Sequence, residues 1–302
     1  MLSRTSILVV FLPTIFFPTY LTAQDGFPPV LPEQVRRIEA HRIERSLEID
    51  GSLNEKEWQS VPPSSSFVDL ISGKQTAYST RVRVLWDSKF LYVGYEIEEP
   101  YVEAKFTKRD SPIYRENDVE FFIAGKDAYY EFETNALGTI YEGLFVWQSA
   151  YETSGISRIP ELDISAPNVR YQRFNGVGYK KHPRGLRWAF LNWDYPDAKV
   201  AVSIQGTLNE NSDRDQGWSV ELAFPWENLG VLNMSSPRDL PPKPGDVWRM
   251  DFSRFNKYKI APGAERGDEQ SKATDSGGWA LSSHGVWDSH IPECFPYVTF
   301  VD

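Results

Sequence analysis

Short segments in which apolar and polar residues alternate recur along most of the chain. In residues 80–86, Val82, Val84 and Trp86 fall on one face, while two arginines fall on the other. A period of two is the pattern of a half-buried β-strand. The Asp-Ser-Lys turn at 87–89 then predicts a hairpin whose second strand covers residues 90–97.

The same criterion predicts further strands at 118–124, 129–135, 139–147, 199–208, 218–224, 247–256 and 297–301. Residues 152–196 are richer in Gly, Pro and Arg and have weaker periodicity, which indicates long loops. Residues 225–230 predict one helical turn ended by glycine. Because long helical patterns are nearly absent, we predict an all-β fold. Its form is an antiparallel β-sandwich, jelly-roll or immunoglobulin-like, with long loops decorating one side.

The N-terminus has the pattern of an export signal. A basic Arg4 precedes an apolar run at 7–17, and the small residue Ala23 suits cleavage before Gln24. A transmembrane anchor is the alternative, but it needs about 20 apolar residues. We therefore predict a signal peptide over 1–23 and a secreted or periplasmic protein that is not integral to a membrane.

Residues 24–42 are first rich in proline and then charged, which predicts an N-terminal tether. The strand-and-turn pattern begins at Ile43, so the domain is predicted to cover residues 43–302. The single cysteine, Cys294, cannot form an internal disulfide, and the core must stabilise the domain. The 10 Trp, 15 Tyr and 18 Phe supply large apolar surfaces for that core.

The formal net charge of −10 argues against nucleic acid as a partner, since an acidic surface repels phosphates. A neutral sugar or a cation is compatible with this charge. The sequence contains no G-x-S-x-G, H-E-x-x-H or P-loop motif. Paired carboxylates remain as an enzymatic alternative, a glycoside hydrolase, because Glu120, Glu131 and Glu133 lie on neighbouring predicted strands.

A third alternative is a haem-binding electron-transfer sandwich. Met250, His284 or His290 would then serve as the axial ligand of the iron. An absorbance scan separates this alternative from the others, because bound haem gives a Soret band.

Six segments, taken in order, resemble carbohydrate-binding module family 9. They lie at 49–58, 80–94, 116–123, 129–135, 217–226 and 287–300. The resemblance runs from about residue 43 to 302, with 152–196 poorly covered. It implies a non-catalytic β-sandwich that binds poly- or oligosaccharide, with calcium bound in characterised members. It also implies a part in polysaccharide catabolism and a separate glycoside hydrolase as a possible partner, since no enzyme is fused here.

The family holds a sugar between two aromatic rings, and the matching positions here are Tyr114 and Trp287. Packing within surface loops is the alternative role for both. Glu120 matches the family's sugar-binding carboxylate. This chemistry suits a pyranose, because rings cover its C–H faces while carboxylates and amides bind its hydroxyl rim.

Asn117 and Arg115 lie in the same loop as Tyr114 and are candidates for contacts with the hydroxyl rim. Glu133 occupies the position of the family's guanidinium. Arg254 and Asn256, on one face of a predicted strand, are candidates to replace it, although Arg254 could instead pair with a surface acid.

Calcium prefers several oxygen ligands. Acidic residues collect at predicted strand ends, namely Asp87, Glu99, Asp110 and Asp118. No contiguous calcium loop is visible, so the ligands of a calcium ion stay unassigned.

Overall fold

Strands make up most of the regular structure in the computed structural model, which describes residues 26–257 and 275–302. The strands are β1 (Arg37–Arg42), β2 (Val68–Asp69), β3 (Thr80–Trp86), β4 (Phe90–Glu98), β5 (Asp118–Ala124), β6 (Ala128–Asn135), β7 (Ile140–Trp147), β8 (Gln172–Phe174), β9 (Arg187–Phe190), β10 (Lys199–Gln205), β11 (Gly217–Pro225), β12 (Val247–Phe255), β13 (Gly278–Ala280) and β14 (Tyr297–Val301). Two short α-helices are α1 (Lys56–Gln59) and α2 (Gly230–Asn233). The described part of the chain has no helix long and apolar enough to cross a bilayer.

The strands form one hydrogen-bonded path in the order β10-β11-β4-β3-β1-β14-β12-β5-β6-β7-β9-β8, with β13 beside β12 and β2 beside β13. Neighbouring strands in the described ranges pair antiparallel, except that β1 runs parallel to β14 and to β3. The all-β prediction is confirmed. The parallel pairing of β1 with β14 and β3 differs from the antiparallel arrangement that was predicted.

The path folds back on itself, so that its two halves face each other across the core. Phe121 of β5 stacks on Phe224 of β11, with ring centroids 5.1 Å apart. The Tyr95 hydroxyl of β4 donates to the backbone carbonyl of Glu120 of β5 over 2.7 Å. Contacts between strands so far apart in the path show that the domain is a sandwich, with β1 and β14 joining its halves.

The predicted strands are all present, with ends that differ by at most three residues. The predicted helical turn is also present as a 3-10 turn at Trp226–Leu229. Gly230 does not end it, because its φ of −54° is right-handed and the chain continues into α2. The predicted loop region 152–196 contains the short strands β8 and β9, which extend the sheet beyond β7.

The predicted tether over residues 24–42 extends too far towards the C-terminus. Residues 37–42 form β1, and Ala40 is fully buried between β14 and β3. The strand was missed because only two of its six residues, Ile38 and Ala40, are apolar, so its alternation is a weak signal. The domain therefore begins at or before Arg37. The predicted signal peptide at 1–23 lies outside the described residues.

We expect Gly51→Ala to lower the free energy of unfolding by about 1–3 kcal/mol or more, because two costs add. Gly51 has a φ of +90°, and an added Cβ would lie 2.5 Å from the backbone carbonyl carbon of Val202. Gly185→Ala is the matched control. Gly185 also has a positive φ, +74°, but its Cβ would meet no atom within 4 Å. Urea unfolding of both variants tests this, and equal losses would show that the contact with Val202 adds nothing.

Candidate functional site

A cavity of about 420 Å³ lies on the outer face of strands β5, β6 and β7. Alternation along these strands directs Phe121 and Phe132 into the core. The alternate residues Glu120, Glu131 and Glu133 therefore fall on the opposite face and form the floor of the cavity. Segments around residues 172–177 and 287–290 supply its walls.

Two aromatic side chains that the sequence singled out line this cavity together. Tyr114 lies on a 3-10 turn before β5, is 41% exposed and packs edge-on against Tyr141 of β7 at 5.5 Å. Trp287 is half-buried and contacts Phe255 of β12 edge-on at 5.2 Å. Both predicted rings and Glu120 thus border one space.

Three buried carboxylates lie together at the floor, and we call them the carboxylate cluster: Asp118, Glu120 and Glu133. One oxygen of each lies within 4.8 Å of the others. Glu120 accepts a hydrogen bond from the Ser253 hydroxyl over 2.9 Å. Asp118 Oδ2 and Glu133 Oε2 have no hydrogen-bond partner in the described residues. The cluster therefore has unused acceptor capacity.

Burial raises the pKa of all three carboxyls in the cluster well above the usual range. Repulsion from neighbouring carboxylates adds to this, chiefly from Asp118 at Glu120 and from Glu131 at Glu133. Loss of hydration and like charge both disfavour the ionised form. A positive charge at the cluster would relieve both effects.

Two further charged side chains of the cavity, Glu131 and Lys257, lie outside the carboxylate cluster. Glu131 pairs with His290, whose Nε2 lies 3.2 Å from its Oε1. The Nδ1 of the same histidine lies 3.2 Å from the Tyr129 hydroxyl. Lys257 is exposed and lies at the cavity edge. Glu131 therefore has a basic partner at hydrogen-bonding distance.

Asn117 and Arg115 do not line the cavity. Asn117 is buried; its Nδ2 donates to Glu99, and its Oδ1 accepts from the Lys257 backbone over 2.7 Å. Arg115 is exposed, with its guanidinium 5.7 Å from the centroid of the Tyr114 ring. Asn117 thus anchors the loop before β5 by its hydrogen bonds, and Arg115 contacts Tyr114 but not the cavity.

Arg254 lies inside the protein. Its guanidinium donates to Thr80 Oγ1 over 2.9 Å, to the Glu98 carbonyl over 3.0 Å and to Glu99 Oε2 over 3.1 Å. The adjacent Ser253 contacts the carboxylate cluster, so alternation turns residue 254 to the other face of β12.

Asn256, two residues beyond Arg254, lines a separate small pocket beside Glu99. Their placement does not support the prediction that Arg254 and Asn256 contact a ligand in the cavity. The expected alternative, a surface ion pair for Arg254, is also wrong, because Glu99 is buried.

Sequence reasoning missed several residues of the cavity, notably Tyr141, Phe255, Lys257 and His290. Alternation along the predicted strand 139–147 was a partial signal for Tyr141, since Ile140, Leu144 and Val146 on the opposite face are apolar, although Glu142 is not. No local pattern identifies His290, which follows Trp287 in an irregular segment.

Two of the acids considered for calcium are engaged by protein donors. Asp87 accepts from the Ser46 and Tyr92 hydroxyls and from backbone amides, and Glu99 is paired with Arg254. Asp110 is exposed, and Asp118 belongs to the carboxylate cluster. This cluster offers the hard oxygen ligands that a small cation prefers.

The geometry does not favour the two alternative functions. Glu120 and Glu133 lie directly opposite on paired strands, so they are neighbours in one floor and do not flank a bond from two sides. Of the residues considered for haem, Met250 is fully buried. His284 Nε2 lies 3.4 Å from Asp251, and His290 pairs with Glu131.

Residues 64–154 match the family model described as carbohydrate-binding family 9. This segment covers β2 to β7 and includes Tyr114, Glu120 and Glu133. It does not include Trp287. No curated protein matches the chain in sequence.

A solved structure from Bacteroides uniformis, described as a carbohydrate-binding protein, has the same fold, with a TM-score of 0.53 and 13% identity over 88% of this chain and 99% of that one. Family 9 carbohydrate-binding modules from Caldicellulosiruptor kristjanssonii, solved with cellotriose and with glucose, are more distant. Each has a TM-score of 0.46 and 13% identity over 88% of this chain, and the match covers 94% and 95% of theirs. Residues 64–154 are therefore similar in sequence to carbohydrate-binding family 9, and the β-sandwich is the fold that this chain shares with the Bacteroides uniformis protein.

Proposed function

We propose that this protein binds carbohydrate in the cavity above β5, β6 and β7. Tyr114 and Trp287 cover the C–H faces of a pyranose, and Glu120 accepts hydrogen bonds from its hydroxyls. The observation that carries the proposal is that these side chains line one cavity, although 173 residues separate the two rings in sequence.

Ring stacking alone does not give micromolar affinity, so hydrogen bonds in the rest of the cavity must supply the remaining binding energy. Covering about 100 Å² of C–H surface is worth about 2.5 kcal/mol at 25 cal/mol per Å². A micromolar Kd corresponds to about −8 kcal/mol. Hydrogen bonds from charged groups contribute about 1.5–3 kcal/mol each. Two or three such bonds from the floor and edge of the cavity therefore bring the affinity into the micromolar range.

The proposed setting is outside the cytoplasm. The N-terminal pattern supports export, after cleavage near Ala23, to the periplasm or the medium. There the protein would take part in recognition or catabolism of a poly- or oligosaccharide. A separate glycoside hydrolase is the proposed partner, which the binding protein would hold near its substrate.

Isothermal titration of the mature protein against cello-, xylo- and other oligosaccharides, with and without calcium, tests the binding. We expect micromolar binding of at least one sugar, and we expect Tyr114→Ala to weaken it about tenfold. Tyr171→Ala is the matched control, because Tyr171 is 42% exposed and lies outside the cavity wall. The absence of heat with every sugar, or equal effects of the two variants, would overturn the proposal.

A further inference from the structure

The cavity contains more carboxyl groups than recognition of a neutral sugar requires. Glu120, Glu131 and Glu133 line it, with Asp118 beneath them. Within the described ranges their basic neighbours are His290, paired with Glu131, and the exposed Lys257 at the cavity edge, which attracts Asp118. Hydroxyls of a neutral sugar can accept or donate hydrogen bonds, but they carry no compensating charge. Ionising these buried carboxyls without a cation costs several kcal/mol, and a bound cation would offset that cost. The chemistry of the floor is therefore that of a cation site.

The unused acceptors define where the positive charge would lie. Glu133 is 2% exposed and lines the cavity, while Asp118 is fully buried behind it. One oxygen on each of these residues has no hydrogen-bond partner among the described residues. These atoms point to a missing donor, because buried polar groups are normally paired.

The oxygens of the cluster are close enough together for one ammonium group to reach all three. An ammonium donates three hydrogen bonds of about 2.8 Å in tetrahedral directions, which separates its three acceptors by about 4.6 Å. The three carboxylate oxygens lie within 4.8 Å of one another. An ammonium at their centre would therefore use one oxygen from each residue.

The aromatic walls of the cavity can contact both a cation and a sugar ring. Tyr114, Tyr141 and Trp287 border the same cavity as the cluster. Rings attract cations through their negative faces and also cover the C–H faces of a pyranose. A ligand that carries a positive charge on a sugar ring would use both the rings and the carboxylates.

We propose that the ligand is an amino sugar with a free, protonated amine, in an oligosaccharide of the glucosamine type. Its ammonium binds the carboxylate cluster, and its ring lies against Tyr114 and Trp287. This inference rests on the proposed function and names the substrate class of the same cavity.

A divalent cation is the competing occupant of the cluster. Calcium takes six to eight oxygen ligands, and the cluster brings three carboxylates together. A metal ion also makes no use of the aromatic walls. The amino sugar accounts for both features, and the metal is one outcome of the test.

The test is a titration of the mature protein with three oligosaccharides of equal length. They are a β-1,4-glucosamine oligomer with free amines, its N-acetylated form and the corresponding cello-oligosaccharide. In EDTA, we expect the free-amine oligomer to bind at least tenfold more tightly than either neutral sugar. We also expect this preference to shrink as the salt concentration rises, because it is electrostatic.

Glu133→Gln keeps the shape of the side chain and removes its charge. We expect it to reduce the preference for the amine over the cello-oligosaccharide about tenfold, while Glu227→Gln, an exposed change elsewhere, leaves the preference unaltered. If E133Q does not fold by circular dichroism, Asp118→Asn replaces it. An unchanged preference in the folded variant would overturn the inference.

The outcomes separate this inference from the proposed function. Equal affinity for the free-amine and neutral oligomers would overturn the proposal of an amino sugar, but the proposal that the protein binds carbohydrate would still hold. Binding of calcium alone, with neutral sugars bound only in its presence, would replace the amine by a metal ion. No binding of any oligomer would overturn both proposals.

Discussion

Arg254→Ala is expected to lower the free energy of unfolding by about 3–5 kcal/mol, since it leaves a buried carboxylate without its cation. Arg254 is fully buried, and Glu99, 3.1 Å away, is 2% exposed. The guanidinium also lies 4.8 Å from the centroid of the Trp279 ring, so the variant loses packing as well. Urea unfolding at pH 7 measures the loss.

Two comparisons test the cause. Arg81→Ala, an exposed change on β3, should shift stability by less than about 0.5 kcal/mol. The double variant Arg254→Met, Glu99→Gln should recover part of the loss, because no unpaired charge remains. Burial raises the pKa of Glu99, so a carboxyl without Arg254 can protonate in the folded state. The loss should therefore be smaller at pH 4 than at pH 7, and a larger loss at pH 4 would contradict this explanation.

Trp287→Ala is expected to weaken sugar binding about 10- to 100-fold, which corresponds to about 1.4–2.8 kcal/mol. The indole is a larger ring than that of Tyr114, and it is held in place by its edge-on contact with Phe255. Its removal exposes the sugar face to water and leaves the opposite ring without a counterpart. Titration with the tightest-binding oligosaccharide measures the effect.

Trp188→Ala is the matched control for this change, because Trp188 is also half-buried but lies outside the cavity wall. Trp287→Phe should retain most of the affinity, since it preserves an apolar ring. Thermal unfolding of each variant separates lost binding from lost folding. If Trp287→Ala binds as tightly as the parent while Trp188→Ala does not, the ligand lies elsewhere.

The strands and their faces could be predicted from local alternation. Val82, Val84 and Trp86 are buried as the pattern of β3 indicates, and Trp218 of β11 is a core residue as expected. A period of two specifies which side chains share a face, and this information is contained in a few consecutive residues. β1, in which only Ile38 and Ala40 are apolar, gave too weak a signal to be predicted.

The site was predicted only in part. Tyr114, Glu120 and Trp287 came from the family resemblance, and the structure brings them to one cavity. Arg254 was assigned to the ligand side, although the alternation that placed Glu120 on the cavity face turns residue 254 inward once β12 pairs with β5. The sequence could not give this register, because it depends on the pairing of strands more than 120 residues apart.

The sequence by itself determined most of the longer strands, the aromatic core and the residues that alternate onto one face of β5, β6 and β7. Only the tertiary structure decided which charges on that face are compensated. Glu131 has His290 beside it, whereas Glu133, two residues away on the same strand, has no basic partner in the described chain. The physical reason is that alternation is a local property of the backbone. The partner of a buried charge is set by whichever distant segment packs over it, and His290 lies 159 residues further along the chain than Glu131.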